Sequence, residues 1–143
     1  MMPAEQRREV GEIKEAKDVE KKTGRSGPVR TFRDLLVYKQ AYRLALEIST
    51  LSRERFPARN SMSSGSSRSV AANIVEGWTK RSSVAEFKRH LVIASGEAAE
   101  TKFWLDLAAD EGLAKRESCR RLEGEYSKLG MMLHNLWKEW RKL

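Results

Sequence analysis

One cysteine, Cys119, stands in a chain of 143 residues, so no intrachain disulfide can form. Only three prolines and nine glycines interrupt it, so few points force the backbone out of a helix. Aromatic residues make up 8% of the sequence. No apolar run exceeds a few residues, far short of the roughly 20 that cross a bilayer. The opening "MMPAEQRREVGEIKEAKDVEKK" is charged within its first ten residues and lacks an apolar block. It is not expected to act as a secretory signal. A cytoplasmic protein with no membrane partner is the expectation.

What is present is charge. Charged residues make up 34% of the chain against 40% hydrophobic, with a net charge of +8. This is the balance of a helical globular protein rather than a disordered one, and the sign makes anionic partners plausible. Residues 32–62 hold six basic and three acidic side chains, and 113–143 hold eight and four. Residues 83–112 invert this, with three basic and six acidic. Solvated faces and pairing between neighbouring helices are the plainer account of such a pattern, and they outweigh a dedicated nucleic-acid surface.

Residues 1–31 stand apart. The stretch "EIKEAKDVEKK" is dense in mixed charge, with only Val10 before it and Ile13, Ala16 and Val19 within it as a weak apolar set, and Gly24, Gly27 and Pro28 then break any helix. The expectation is a flexible N-terminal charged extension and linker over 1–31, followed by one domain over 32–143. In that domain Val37, Ala41, Leu44, Ile48 and Leu51 recur at heptad spacing, widened by Tyr38, Tyr42 and Ala45. Thr31 and Asp34 match a capping box at its start, or Asp34 itself is the N-cap, and Pro57 stops the helix nearby. A loop follows over 58–65. A further helix is expected to open on the box Ser83–Glu86. It carries Val84, Phe87, Leu91, Ala94, Ala98, Thr101, Leu105 and Ala108, and ends at Glu111-Gly112. The last carries Cys119, Leu122, Tyr126, Leu129, Leu133, Leu136, Trp140 and Leu143, weakened locally by Gly124 and Gly130. Three apolar seams need a fourth partner.

That partner is "SSRSVAANIVEGW", Ser66 to Trp78. Val70, Ile74 and Trp78 form a narrow stripe among small residues, which lets neighbouring helices approach closely. Asn73, one turn before Gly77, is placed to hydrogen-bond across to another element. The fold class is therefore all-α: an antiparallel four-helix bundle with a short, thin second helix.

Three stretches resemble a known family, the four-helix-bundle proteins of the large-subunit ribosomal RNA intervening sequences. These are related to the accessory variability proteins of diversity-generating retroelements. The family's first-helix pattern is met by Phe32, Asp34, Leu35, Val37, Tyr38 and Ala41. Its second-helix signature is met by Ser66, Ser67, Arg68, Ser69, Val70, Ala72, Asn73, Ile74, Glu76, Gly77 and Trp78. Its third is met by Gly96, Glu97, Ala98, Ala99, Glu100, Thr101, Trp104, Leu105 and Asp106. The resemblance implies a ring-like pentamer with no known enzyme activity, and nucleic-acid binding in the retroelement relatives. "ARNSMSSG", before the second helix, is shorter than in the family and puts Ser64-Gly65 where the family has an Arg-Arg step. The second helix is thus expected to start late, with less positive charge.

Catalytic chemistry finds little support. A carboxylate-metal bundle needs Glu-x-x-His pairs. Glu76, Glu97 and Glu100 are present, but neither His90 nor His134 completes that spacing. Arg68 paired with Glu97 or Glu100 across helices is the plainer account. Cys119 lies on an apolar seam, and no Gly-x-Ser-x-Gly elbow or phosphate-binding glycine loop exists. No enzyme activity, cofactor, metal or small-molecule substrate is expected. Arg68, Asn73, Glu76, Gly77, Glu97 and Glu100 are structural candidates. Arg116, Arg120, Arg121 and Lys128 are the first nucleic-acid candidates, with Lys80 and Arg81 behind them. Trp137 and Trp140, beside Lys138 and Arg141, suit a bundle or subunit interface better than a membrane surface. The expected function is a self-associating accessory protein, itself its first partner, that contacts RNA or DNA. A protein-binding scaffold is the alternative.

Overall fold

A computed structural model describes the backbone of residues 28–55 and 60–140, and the side chains of 28–52 and 65–140. After a 3-10 turn at Phe32–Asp34 come four α-helices, α1 (Leu36–Arg55), α2 (Asn60–Thr79), α3 (Val84–Asp110) and α4 (Arg116–Trp140). No strand occurs among the described residues. Each helix packs on its chain neighbours, and α4 returns beside α1, so the four close an antiparallel bundle.

The seams pack as their spacing requires. Val37, Ala41, Leu44 and Ile48 of α1 meet Val70, Ile74 and Trp78 of α2, the Phe87–Ala108 row of α3 and the Cys119–Trp140 row of α4. Aromatic rings close one end: Trp140 lies 4.5 Å from Phe87 and 6.5 Å from Trp78, centroid to centroid. The α3–α4 connection is a Schellman motif. Gly112 has a φ of 73°, its N–H donates to Ala109, and Leu113 N–H donates to Ala108.

Several expectations are corrected. The second helix is neither short nor late. It starts at Asn60 and has 20 residues, as many as α1. No proline lies between 60 and 79. Serines cost a helix only about 0.5 kcal/mol each, so the "loop" serines extend it. The Thr31–Asp34 capping box is present, but it caps the 3-10 turn. Leu35 is extended at ψ 129°, and α1 begins after it. Ser83 caps α3 at Glu86 N–H, yet Glu86 turns to Arg89 instead of closing the box. Tyr42 leaves the core and is 51% exposed. α4 runs unbroken through Gly124 and Gly130.

The expected N-terminal extension lies outside the described residues up to position 27. Val29 is buried against the core, so the packed unit reaches upstream of Phe32. Leu143 and Arg141 also lie outside the described residues.

Candidate nucleic-acid interface

The basic candidates of α4 are mostly committed to carboxylates. Arg116 reaches back to Asp110 at 2.9 Å. Arg121 gives two N–H bonds to Glu47 of α1, both 3.2 Å. Arg43 holds Glu47 at 3.1 Å and Glu125 of α4 at 3.0 Å, and Lys128 lies 3.6 Å from Glu125. The sequence Arg121–Glu47–Arg43–Glu125–Lys128 is a ladder of alternating charge along the α1–α4 seam. Arg120 is exposed and joins no ion pair among the described residues.

Lys80 and Arg81 sit in the α2–α3 turn, at the far end of α3. At 1.5 Å per residue that puts about 40 Å between them and Arg116, so the six candidates do not form one patch. Lys80 Nζ lies 3.5 Å from Glu76. The Arg81 guanidinium lies 4.2 Å over the Trp78 ring and donates to the Trp78 carbonyl.

The α2–α3 junction is organised by a residue that spacing alone undervalued. His90 lies three after Phe87 and four before Ala94, flanking the seam, and is buried. Asn73 Nδ2 donates to the Ser69 carbonyl at 2.9 Å. This network assigns Asn73 Oδ1 to face His90 Nδ1, 3.2 Å away, so Nδ1 carries the proton. Nε2 is then the acceptor facing Lys80 Nζ and Arg89, each at 3.4 Å. Gly77 lets α3 come this near. One turn pair further on, the buried hydroxyls of Ser66 and Thr101 meet at 2.9 Å. Small residues thus set the α2–α3 spacing, as "SSRSVAANIVEGW" suggested.

The expected Arg68 pairing is absent: Arg68 is exposed, and no ion pair joins it to Glu97 or Glu100 among the described residues. The two glutamates face each other instead, and burial with the Glu100 charge pushes Glu97 above the usual carboxylate range. A similar pair spans α3 and α4. Burial, then the hydrogen bond and charge of Asp106, raise Glu123 to about 7. Cys119 is fully buried, and burial pushes its thiol up, away from reactivity. The Tyr126 hydroxyl is buried beside Ser67, and burial likewise raises its pKa. Among the described residues no cluster of three His, Cys, Asp or Glu could hold a metal, and no helix is long and apolar enough to cross a membrane.

The sequence model of a family described as 23S rRNA-intervening sequence protein matches residues 33–135. A crystal structure of a protein with unknown function, from the S23 ribosomal protein family of Bacteroides thetaiotaomicron, shares this fold with a TM-score of 0.66. It is 25% identical, and the likeness covers 72% of this chain and 99% of that one. No curated protein matches the chain. The family match runs from the 3-10 turn into the last turns of α4, through all four helices. The chain belongs to the 23S rRNA-intervening sequence protein family.

Proposed function

We propose that this chain acts without catalysis, as a homo-oligomeric accessory protein that associates with nucleic acid, RNA or DNA. The observation that carries the reading is membership of a family named for ribosomal RNA intervening sequences, in a chain with a net charge of +8. Exposed apolar side chains supply the means of self-association. Val92 and Phe103 on α3 are 59% and 55% exposed, and Met131 on α4 is 66% exposed. The resemblance to the intervening-sequence proteins suggests a ring of five. Residues 32–143 carry 20 basic and 14 acidic side chains, so five copies would gather about thirty excess positive charges. Of the α4 row, Arg120 is the contact best placed for phosphate, since its neighbours are held in ion pairs.

The same exposed side chains favour a second reading, a scaffold that binds protein alone. Titration of labelled RNA and duplex DNA at two salt concentrations separates the two. Binding that weakens steeply with salt supports the first. No binding at low salt, with the oligomer intact by light scattering, leaves the scaffold.

A further inference from the structure

Between Arg30 and Tyr42, across the 3-10 turn and the first turns of α1, the chain carries three exposed cations and a line of aromatic rings that runs from the edge of the core into solvent. Arg30, Arg33 and Lys39 are all exposed, and none joins an ion pair among the described residues. Asp34 is the one carboxylate between residues 28 and 42. It is turned onto the backbone N–H groups of Arg30 and Thr31, both at 2.9 Å, and these bonds hold its carboxyl below the usual range. The bonds also pin the turn that presents Phe32 and Arg33. The Arg33 guanidinium lies 4.4 Å over the Phe32 ring.

From Phe32 the rings continue up α1. Tyr38 meets Phe32 edge-on at 5.0 Å, and Tyr42 lies 5.8 Å from Tyr38 with the planes only 31° apart. Phe32 and Tyr38 pack partly against the core. Tyr42 does not: Ala41 and Leu44 take the seam, and its exposed ring extends the line into solvent. Lys39, three residues earlier, is its neighbour on the same face of the helix.

Cations next to an exposed ring are what single-stranded nucleic acid uses. Phosphates take the charges, and bases, unpaired and free to unstack, lie on the ring face. A duplex can use the charges but not the ring. We propose that the Arg33–Lys39–Tyr42 face binds single-stranded RNA, with phosphates on Arg33 and Lys39 and a base on Tyr42. This rests on the nucleic-acid reading above and adds to it a location and a preference for unpaired strands.

The test uses the full chain, with fluorescently labelled single-stranded RNA and a duplex RNA of equal length, at low and moderate salt. Tyr42→Ala is expected to weaken single-strand binding by at least about fivefold while leaving duplex binding within about twofold. Tyr42→Phe keeps the ring and should restore the single-strand affinity. Arg33→Glu with Lys39→Glu should weaken both and flatten the salt dependence. Circular dichroism checks that each variant stays helical, and Tyr42 is exposed enough to be removed without loss of the core. If the parent binds single strands and Tyr42→Ala binds them equally well, this inference is wrong and the nucleic-acid reading survives. If the parent binds neither RNA at low salt, this inference falls, and the nucleic-acid reading falls with it unless duplex DNA is bound.

Discussion

A β-carbon placed on Gly77 of α2 would stand 2.8 Å from the Cβ of His90 on α3, and 3.3 Å from the Phe87 ring. The atom met is next to the backbone, so the two helices must separate to admit it. Gly77→Ala is therefore expected to destabilise. Overpacking costs about 1–3 kcal/mol, against roughly 1 kcal/mol gained from removing a helical glycine. Gly124→Ala and Gly130→Ala are the contrast: a Cβ at either meets nothing within 4 Å. Each should stabilise by about 0.4–1 kcal/mol. Urea titrations of the three variants check the opposite signs.

Asn73→Leu should also destabilise, through a lost bond more than through volume. It leaves His90 Nδ1 buried without its acceptor, which costs about 1–3 kcal/mol. The same change on an exposed site of α2, at Ala72, should be near neutral. Equal stability of Asn73→Leu and the parent in thermal melts would show that this bond does not hold the junction.

The seams were legible because each is a long +3/+4 series, and three of them leave little choice but a bundle. The α2 signal was fainter, yet its small residues could be read as close approach, and Gly77 against His90 is that approach. The serines of 60–65 could not be read correctly from local preference. Ser is weak in helices but not forbidden, and the length of a helix is set by what it packs on. Charge partners were illegible for a similar reason. Arg121 and Glu47 are far apart in sequence, and only the return of α4 beside α1 brings them together. Tyr42 lies one position from the seam residue Ala41, a margin that spacing does not resolve.

Deleting residues 1–27 should leave the thermal transition nearly unchanged, since the sequence there offers only a weak apolar set, Val10, Ile13, Ala16 and Val19 with Met1, Met2 and Ala4, for burial. Deleting 1–31 should not. It removes the buried Val29 and the Thr31 cap. Together these contribute about 2–4 kcal/mol. Two truncations melted side by side check the difference, and a long truncation as stable as the short one would move the domain boundary back to Phe32.

Glu123 should make the bundle lose stability on moving from acid to neutral pH. Its ordinary value is 4.5, and folding raises it to about 7. The folded state holds the proton more tightly. That stabilisation is complete below pH 4.5 and is lost as pH rises through about 7. Gln at position 123 stays neutral throughout and can still donate to Asp106. Glu123→Gln should thus melt close to the parent near pH 4.5 and above it near pH 8. Glu97, raised by burial and by Glu100, leaves a smaller slope of the same sign. A variant whose melting tracks the parent at both pH values would remove Glu123 as the cause.

Arg120 and Arg121 are adjacent in sequence but differ in what they hold, so replacing them separately should give different results. Arg121 bridges α4 to Glu47, and Arg43 then links Glu47 to Glu125. Arg121→Glu sets two carboxylates against each other across the α1–α4 seam. The pair is partly exposed, so the expected loss is modest, about 1 kcal/mol. Arg120 has no such partner, and Arg120→Glu should change stability by no more than about 0.5 kcal/mol. Its effect belongs to binding. If Arg120 meets a phosphate, the log–log salt slope for RNA falls by about 0.7–0.9 with that one contact. Melting curves and salt-dependent titrations on both variants separate the roles. Equal melting of the two would mean that the charge ladder does not hold α1 to α4. An unchanged slope in Arg120→Glu would take this face of α4 out of the interface and leave the α1 surface as the place to look.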